Sequence, residues 1–583
     1  MSTPSLPDTP VTDATAVASV KQHRLLGEDQ VFLLLSLLIG VFAGLAVVCF
    51  RMAIDAAHWM FFGSGLVPPR DRVVLVPGAV GLLVAVLVVR FFPRVRGSGV
   101  NQTKSALYIY DGYIPGSTIV GKFLTSALAI GSGQSLGPED PSLQIGAGLA
   151  SLVGRHLKLS RQNLRLIAPV GAAAGLAAAF NTPIAAVLFV IEEVIGRWSA
   201  GVLGAVVLAA VSSVVIERWF LGAEPLFRIP GYRLESPGEL FAYAVLGVVG
   251  GLAAMVFVKS IQFLRPRVRA LPGWTQYLMP AVAGVLIGLI GQHFPQVMGA
   301  GYAYMDQAMH DQYTWEVLGI LAGLKLVATV LSFSSGTPGG LFAPTLVMGA
   351  MVGGAVGGVE RLLFPHLTGP LGAYALVGMG ALFAGILRAP MTSVFLVLEV
   401  SGNYAIILPV IISTALAYLI SRSLQPTPIF DLLSRQDGLD LPSLEEDREL
   451  AVLHVEDAMH APTPQTTVSL QALPSPEVIE SLPGDFFLVQ DGSGYWGGLD
   501  KAKLLDLASD QAAGVDSHPQ ELPQLYPDQS LDIALRQMGE WPLLPVVHRA
   551  DSSKLVGVVS LADIIETYRK RGPALHELAE PAD

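Results

Sequence analysis

An all-α polytopic membrane domain followed by a smaller α+β tail is the fold class that three features of this sequence predict. Apolar residues make up 52% of the 583, charged residues only 14%, and the mean hydropathy is +0.54. Soluble domains carry about 25% charged residues, so most of this chain is built for lipid. Long apolar stretches recur at the length of a membrane helix. The charge also separates along the chain: from Gln425 onward there are 27 acidic and 10 basic residues, against 20 acidic and 26 basic before it. The acidic end reads as a solvated tail, and a net charge of −11 argues against the clustered basic surface that nucleic-acid binding requires.

Taken in order, residues 1–29 are polar and lack a basic region leading into a short apolar core, so no cleaved signal peptide is expected. Residues 30–433 form the membrane domain. Its apolar stretches lie near 31–53, 73–92, 201–217, 238–258, 276–292, 315–334 and 403–420, each close to the roughly 20 residues a spanning helix needs. Cys49, the single cysteine, falls in the first stretch, excludes an internal disulfide framework and reads as a small buried residue. Basic clusters at Arg90, Arg94, Arg96 and at Arg155, Lys158, Arg161, Arg165 flank apolar stretches, which puts those loops in the cytoplasm by the positive-inside rule. An acidic linker over 434–451, two α+β units over 452–508 and 520–572, and a short tail over 573–583 complete the chain.

Between the long stretches lies a run that no lipid-facing helix carries, Gly131-Ser-Gly-Gln-Ser-Leu-Gly137-Pro-Glu139-Asp140-Pro141. Irregular backbone at membrane depth survives only where it lines a buried or water-filled cavity. An ionisable residue there marks a functional site, which singles out Glu139. An internal repeat supplies the second half of the argument. Val170 to Glu192, with Pro183 inside it, aligns without gaps on Val377 to Glu399, with Pro390 inside it, at a constant offset of 207 residues. A matching break, Ser334-Ser-Gly-Thr-Pro-Gly-Gly340-Leu-Phe342-Ala-Pro344, precedes the second copy. Breaks in corresponding positions of two halves point to a transporter's binding site.

The chemistry of such breaks comes from helix ends. The first turn of a helix leaves backbone N–H groups unpaired and carries partial positive charge, so it binds anions. Three starts qualify: Gly97-Ser98-Gly99-Val100, the helix after Gly137-Pro138-Glu139, and the helix after Gly339-Gly340-Leu341-Phe342. Taken singly, each also fits the use of Gly and Ser in close helix packing. Converging, they would hold a small anion without a full positive charge, which permits both binding and release. Lys325, inside an apolar stretch, is expected to pair with an acid or to lie near a mouth. Glu399, the repeat partner of Glu192, is expected to tie helices together.

In this order, Gly97-Ser98-Gly99-Val100, Gly137-Pro-Glu139-Asp-Pro141, Ala178-Ala-Phe-Asn-Thr-Pro183 to Glu192-Glu193, and Gly340-Leu-Phe342-Ala-Pro344 resemble the CLC family of chloride channels and chloride/proton antiporters. The resemblance covers about residues 30–433. It implies a homodimer whose subunits each carry an anion pore, built from two inverted halves with broken helices. It also implies that Ser98 offers its hydroxyl, and the Gly99, Leu341, Phe342 and Ala343 region its amides, to chloride. Glu139 matches the gating glutamate, which competes with chloride and carries a proton, and Glu193 the internal glutamate that relays protons. Four positions depart from the family's pattern. Pro138 lacks an N–H where a basic residue is usual, Asp140 adds a negative charge in a glycine place, Asn101 replaces a proline and is expected to loosen that helix start, and Phe430 stands where a tyrosine hydroxyl reaches the central anion.

The tail resembles a CBS-domain pair. The second copy keeps Gly557, Ser560 and Asp563 in the element that, in that family, turns a hydroxyl toward phosphate and a carboxylate toward ribose. The first copy, Gly497-Gly-Leu-Asp500-Lys-Ala-Lys503, has lost both partners. The resemblance thus allows one adenine nucleotide per tail, against the simpler reading of a module that only stabilises a dimer. The whole reads as a chloride/proton antiporter that is not an enzyme, an integral protein of the bacterial inner (plasma) membrane with its tail in the cytoplasm. A passive gated chloride channel is the alternative. An intramembrane serine protease using Ser98 is a remote one, because no histidine sits centrally in a long apolar stretch to act as base.

Overall fold

The structure, a computed structural model, describes residues 28–65, 67–196, 200–222, 237–364, 369–439, 441, 453–470, 473–490, 496–509, 519–539, 541–549 and 551–571. The N-terminal segment up to residue 27, most of the expected linker and the tail after 571 lie outside them. The chain divides into a unit ending at Leu441 and a unit starting at Pro442.

Among the described residues the first unit contains seventeen α-helices. The first half comprises α1 (Glu28–Phe62), α2 (Arg72–Arg90), α3 (Gly99–Tyr108), α4 (Gly116–Gly131), α5 (Glu139–His156), α6 (Arg161–Phe180), α7 (Pro183–Phe189) and α8 (Ala200–Leu221). The second comprises α9 (Glu239–Arg269), α10 (Met279–Gly291), α11 (Tyr302–Met309), α12 (Trp315–Ser334), α13 (Phe342–Leu363), α14 (Leu371–Leu387), α15 (Pro390–Ser401) and α16 (Ile407–Leu424), and α17 (Ile429–Gln436) closes the unit. The packing repeats eight helices later: α5 on α6 as α13 on α14, α1 on α8 as α9 on α16, and α6 on α8 as α14 on α16. Eight segments among the described residues are long and apolar enough to cross a membrane.

Side-chain size sorts the helices into layers. Leucine, valine and phenylalanine of α1, α2, α8, α9 and α16 point outward, as a face against lipid or another apolar surface requires. The Gly- and Ala-rich α6 and α14 sit inside, and α14 is buried from Gly372 to Leu387, because small residues let helix backbones approach closely. Cys49 proves to be exposed on the outer face of α1 rather than buried, since a helix this long turns part of every stretch outward.

Two reciprocal contacts establish that the halves are inverted. Beyond α7 the chain winds through a π turn, Val190–Ile195, and there the Glu192 carboxylate accepts from the Met391 and Thr392 N–H groups (3.2 and 2.8 Å) and the Thr392 hydroxyl (2.5 Å), at the start of α15. In return Glu399, near the end of α15, accepts from the Ile184 and Ala185 N–H groups (3.0 and 2.8 Å) at the start of α7. Each helix end meets the other's beginning, so α7 and α15 run antiparallel, and each carboxylate satisfies orphan donors while matching the helix dipole. Glu399 thus ties helices together, as expected.

A second pair follows the same symmetry. Lys122 of α4 donates to the carbonyls of Val95 and Gly97 (3.2 and 3.1 Å), and Lys325 of α12 to those of Val297 and Gly299 (3.0 and 2.7 Å). Lys325 therefore neither pairs with an acid among the described residues nor lies at a mouth: it is fully buried. An ammonium has three donors and no acceptor, and a turn that presents several carbonyls satisfies it without a counter-ion.

The second unit is α+β. Strands β1 (Thr467–Ser469), β2 (Phe486–Gln490), β3 (Trp496–Asp500) and β4 (Gln520–Glu521) form one sheet in that order, with β1 and β2 parallel and the other pairs antiparallel. β5 (Leu543–His548) and β6 (Asp551–Ser560) form an antiparallel pair. Leu531, Ala534, Leu544, Val559 and Ile564 pack one core together with Leu453 and Val455, and Val468, Ile479, Phe487, Leu499 and Leu504 pack the other.

Replacing either Glu192 or Glu399 by alanine strands two backbone donors. Hydrogen bonds to charged groups are worth about 1.5–3 kcal/mol, so each change is expected to lower stability by roughly that much, read as a reduced thermal midpoint in detergent. Midpoints equal to the parent's for both would show that these caps do not hold the halves together.

Candidate functional site

The two breaks meet. Gly137 and Gly340 exchange a pair of backbone hydrogen bonds, each 2.8 Å, in an antiparallel bridge between the halves. From that bridge α5 leaves at Glu139 and α13 at Phe342, so their first turns lie side by side. The start of α3 is the third member, because Val100 N–H donates to the Asp140 side chain at 3.1 Å. Ser98, Gly99, Glu139, Leu341, Phe342 and Ala343 are thereby brought together, all buried. Unpaired carboxylates in such a dry place would be costly, and the helix starts supply their partners.

Glu139 is folded onto α13. One carboxylate oxygen accepts from the Ala343 N–H at 3.2 Å, and the other from the Tyr302 hydroxyl. Gly137 leaves the room: a Cβ there would lie 2.3 Å from the carboxylate oxygen. Tyr302 was missed in the sequence. The signal was available, since Gly299-Ala-Gly301 before it opens α11 in the second half as Gly97-Ser-Gly99 opens α3 in the first, with Gly301 at φ +91°.

Ser98 caps α3, its hydroxyl oxygen accepting from Val100 N–H at 3.1 Å. No histidine is hydrogen-bonded to it among the described residues, which leaves a serine nucleophile without a base. Asn101 tightens rather than loosens this helix start: its side-chain amide donates to the Phe430 carbonyl at 2.9 Å and ties α3 to α17. The Phe430 ring packs among Phe342 and Phe189, with centroids 6.3 and 6.2 Å away. The rings of Phe180 and Phe383 complete an apolar wall around Phe342.

Glu193 sits apart from this cluster. In the π turn it contacts the Lys104 ammonium at 3.2 Å, and Lys104 also contacts Asp431 of α17 at 3.4 Å, with all three side chains buried. Lys104 lies six residues after Ser98 on α3, about 9 Å along the axis at 1.5 Å per residue. The short helix thus carries the helix-start cluster at one end and a buried ion cluster at the other. Sequence reading passed over both Lys104 and Asp431. Beside Gly97 opens a cavity of about 270 Å³ lined by Arg96, Arg265 and Arg269, the last two sharing the Asp437 carboxylate at 2.7 and 2.5 Å.

The tail residues form a separate place. Asp563 accepts from both the Ser560 N–H (2.9 Å) and hydroxyl (2.7 Å), and its other oxygen contacts His460 Nε2 at 2.8 Å. Gly557 packs on Met459. The element predicted to meet a nucleotide is closed on itself here as the start of the helix Leu561–Arg571.

Known proteins resemble both units of the chain. The family model described as voltage gated chloride channel matches residues 80–422, and the CBS domain model matches 520–570. An H(+)/Cl(−) exchange transporter, ClcA, of Vibrio campbellii is 33% identical over 414 residues, covering 69% of this chain and 88% of that one. The crystal structure of a slow cyanobacterial Cl−/H+ antiporter superposes with a TM-score of 0.64 at 26% identity, covering 70% of this chain and 97% of its own. A eukaryotic CLC transporter shares the fold, with a TM-score of 0.61 at 22% identity over 91% of this chain and 97% of its own.

Tyr302→Phe removes one of the two groups that hold Glu139. A hydrogen bond to a charged group contributes about 1.5 kcal/mol or more, roughly tenfold in a local equilibrium. Chloride affinity of the purified protein, measured by calorimetry, is accordingly expected to rise about tenfold as the tethered competitor is released. Affinities that match the parent's would mean the phenol does not hold the carboxylate in the anion's place.

Proposed function

Because the chain belongs to the voltage gated chloride channel family, we propose that this integral membrane protein exchanges chloride for protons through a pathway within each subunit. The observation that carries the reading is the Glu139 carboxylate seated on the α13 amide of Ala343, where an anion would bind. A tethered carboxylate and chloride compete for the same donors. Protonation removes the charge that keeps Glu139 there, so the side chain leaves with its proton as chloride takes the place. Ser98, Gly99, Leu341, Phe342 and Ala343 form the anion path, with Phe430 as an apolar wall where no hydroxyl is offered. Glu193 passes protons from the inner side, and its contact with Lys104 keeps it oriented toward α3.

We propose further that two copies pair through the apolar faces of α7, α8, α15 and α16, on which Ile184, Val211, Met391 and Leu408 are exposed. The basic loops around Arg94 and Arg155 favour a cytoplasmic tail in a bacterial inner membrane. For the CBS tail, one adenine nucleotide is the proposed ligand; it would have to open the Ser560–Asp563 pair. Equilibrium dialysis of ATP against the full chain tests this, and no retention would leave a purely structural tail.

The experiment for transport is a reversal-potential measurement on reconstituted protein under crossed chloride and pH gradients. The parent is expected to respond to both gradients. Glu139→Gln is expected to keep anion flux and to lose proton movement. A parent potential that follows chloride alone would identify a passive channel instead.

A further inference from the structure

Glu139 and Asp140 are consecutive residues in the first turn of α5, where successive side chains diverge by about 100°. One therefore reaches α13 and the other α3. The Asp140 carboxylate lies on the start of α3, accepting from Val100 N–H at 3.1 Å, with the Ser98 hydroxyl and the Gly99 N–H alongside. This is the place where the first half's helix start would take an anion. The fit is built in: a Cβ on Gly99 would stand 2.6 Å from the Asp140 carboxylate oxygen, just as one on Gly137 would stand 2.3 Å from that of Glu139. The remaining oxygen of Asp140, with the residue only 1% exposed, has no hydrogen-bond partner among the described residues.

We propose that Asp140 is a second tethered anion of the pathway, which fills the α3 start and which chloride must displace to bind there. The inference rests on the anion pathway argued above and adds a second competitor to it. The charged groups that face Asp140 are Lys122 of α4 and its neighbour Glu139, while Arg51 of α1 acts on Glu139; the segment leading into α13 packs on it with the uncharged Gly340. Lys122 anchors Asp140 electrostatically, and repulsion between two carboxylates in one dry site favours the departure of one or the other. Chloride can then be admitted at one helix start while the other stays closed.

The test uses four purified full-length proteins: the parent, Glu139→Gln, Asp140→Asn and the double variant, each titrated with chloride by calorimetry at neutral and mildly acidic pH. Asp140→Asn is expected to bind chloride about tenfold more tightly than the parent, the equivalent of one lost charge-assisted competitor. The double variant is expected to bind one more chloride per chain than Glu139→Gln alone. In Glu139→Gln, chloride occupancy should rise on acidification as Asp140 is neutralised, and in the double variant that rise should vanish. Should Asp140→Asn fail to fold, Asp140→Gly carries the same expectations. If Glu139→Gln binds chloride and changing Asp140 alters neither affinity, stoichiometry nor pH response, this inference falls and the pathway stands. Chloride binding by none of the four overturns the pathway and this inference with it.

Discussion

The site depends on one backbone contact, the paired hydrogen bonds between Gly137 and Gly340. Each glycine ends an irregular run that would otherwise carry unsatisfied polar groups at membrane depth, a cost of several kcal/mol per group in hydrocarbon. By satisfying each other they fix two helix starts from opposite halves side by side. Everything chemical follows from that placement. The orphan N–H groups of α5, α13 and α3 look into one buried space, and a family of partial charges does what a lysine or arginine would do too strongly.

The charges in this space are the chain's own. Glu139 rests on α13 and Asp140 on α3, while Lys122 and Lys325, the two buried cations related by the repeat, donate their hydrogen bonds to carbonyls. Lys122 still acts on Asp140 through its field while its hydrogen bonds go to the turn. The departures from the family pattern also prove to be coupled. Asn101 ties α3 to the carbonyl of Phe430, so the residue that replaces a proline supports the segment whose tyrosine is missing. Lys104 at the other end of α3 joins Glu193 and Asp431, so the same short helix links the helix-start cluster to a second group of acids.

Much of this was legible in the sequence because membrane helices advertise their length: the stretch read at 315–334 is α12 residue for residue, and those near 73–92 and 276–292 became α2 and α10. The breaks and the 207-residue offset mark the helix starts in the sequence itself. What stayed hidden has physical reasons. The buried helices α5 and α6 are rich in Gly, Ala and Ser, so hydropathy marks them weakly although they lie inside. Tyr302 lies 163 residues from Glu139, and only the fold brings it there. Cys49 and Lys325 were misjudged because an apolar stretch does not reveal which of its faces meets lipid and which meets another turn's carbonyls. Asp140 could be recognised as an intruder, but which helix start it faced required the divergence of two side chains on one turn.

The crossed caps of α7 and α15 have a consequence for how the molecule is made. Ile184 and Ala185 receive their acceptor from a residue 215 and 214 positions later in the chain. At a synthesis rate of about 5–20 residues per second, α7 waits roughly 10–40 seconds with its first turn open before Glu399 exists. During that interval the N–H groups at the start of α7 lack the acceptor they have in the finished structure. Until then water or another polar group has to satisfy those N–H groups, and the second half takes over that role when it packs.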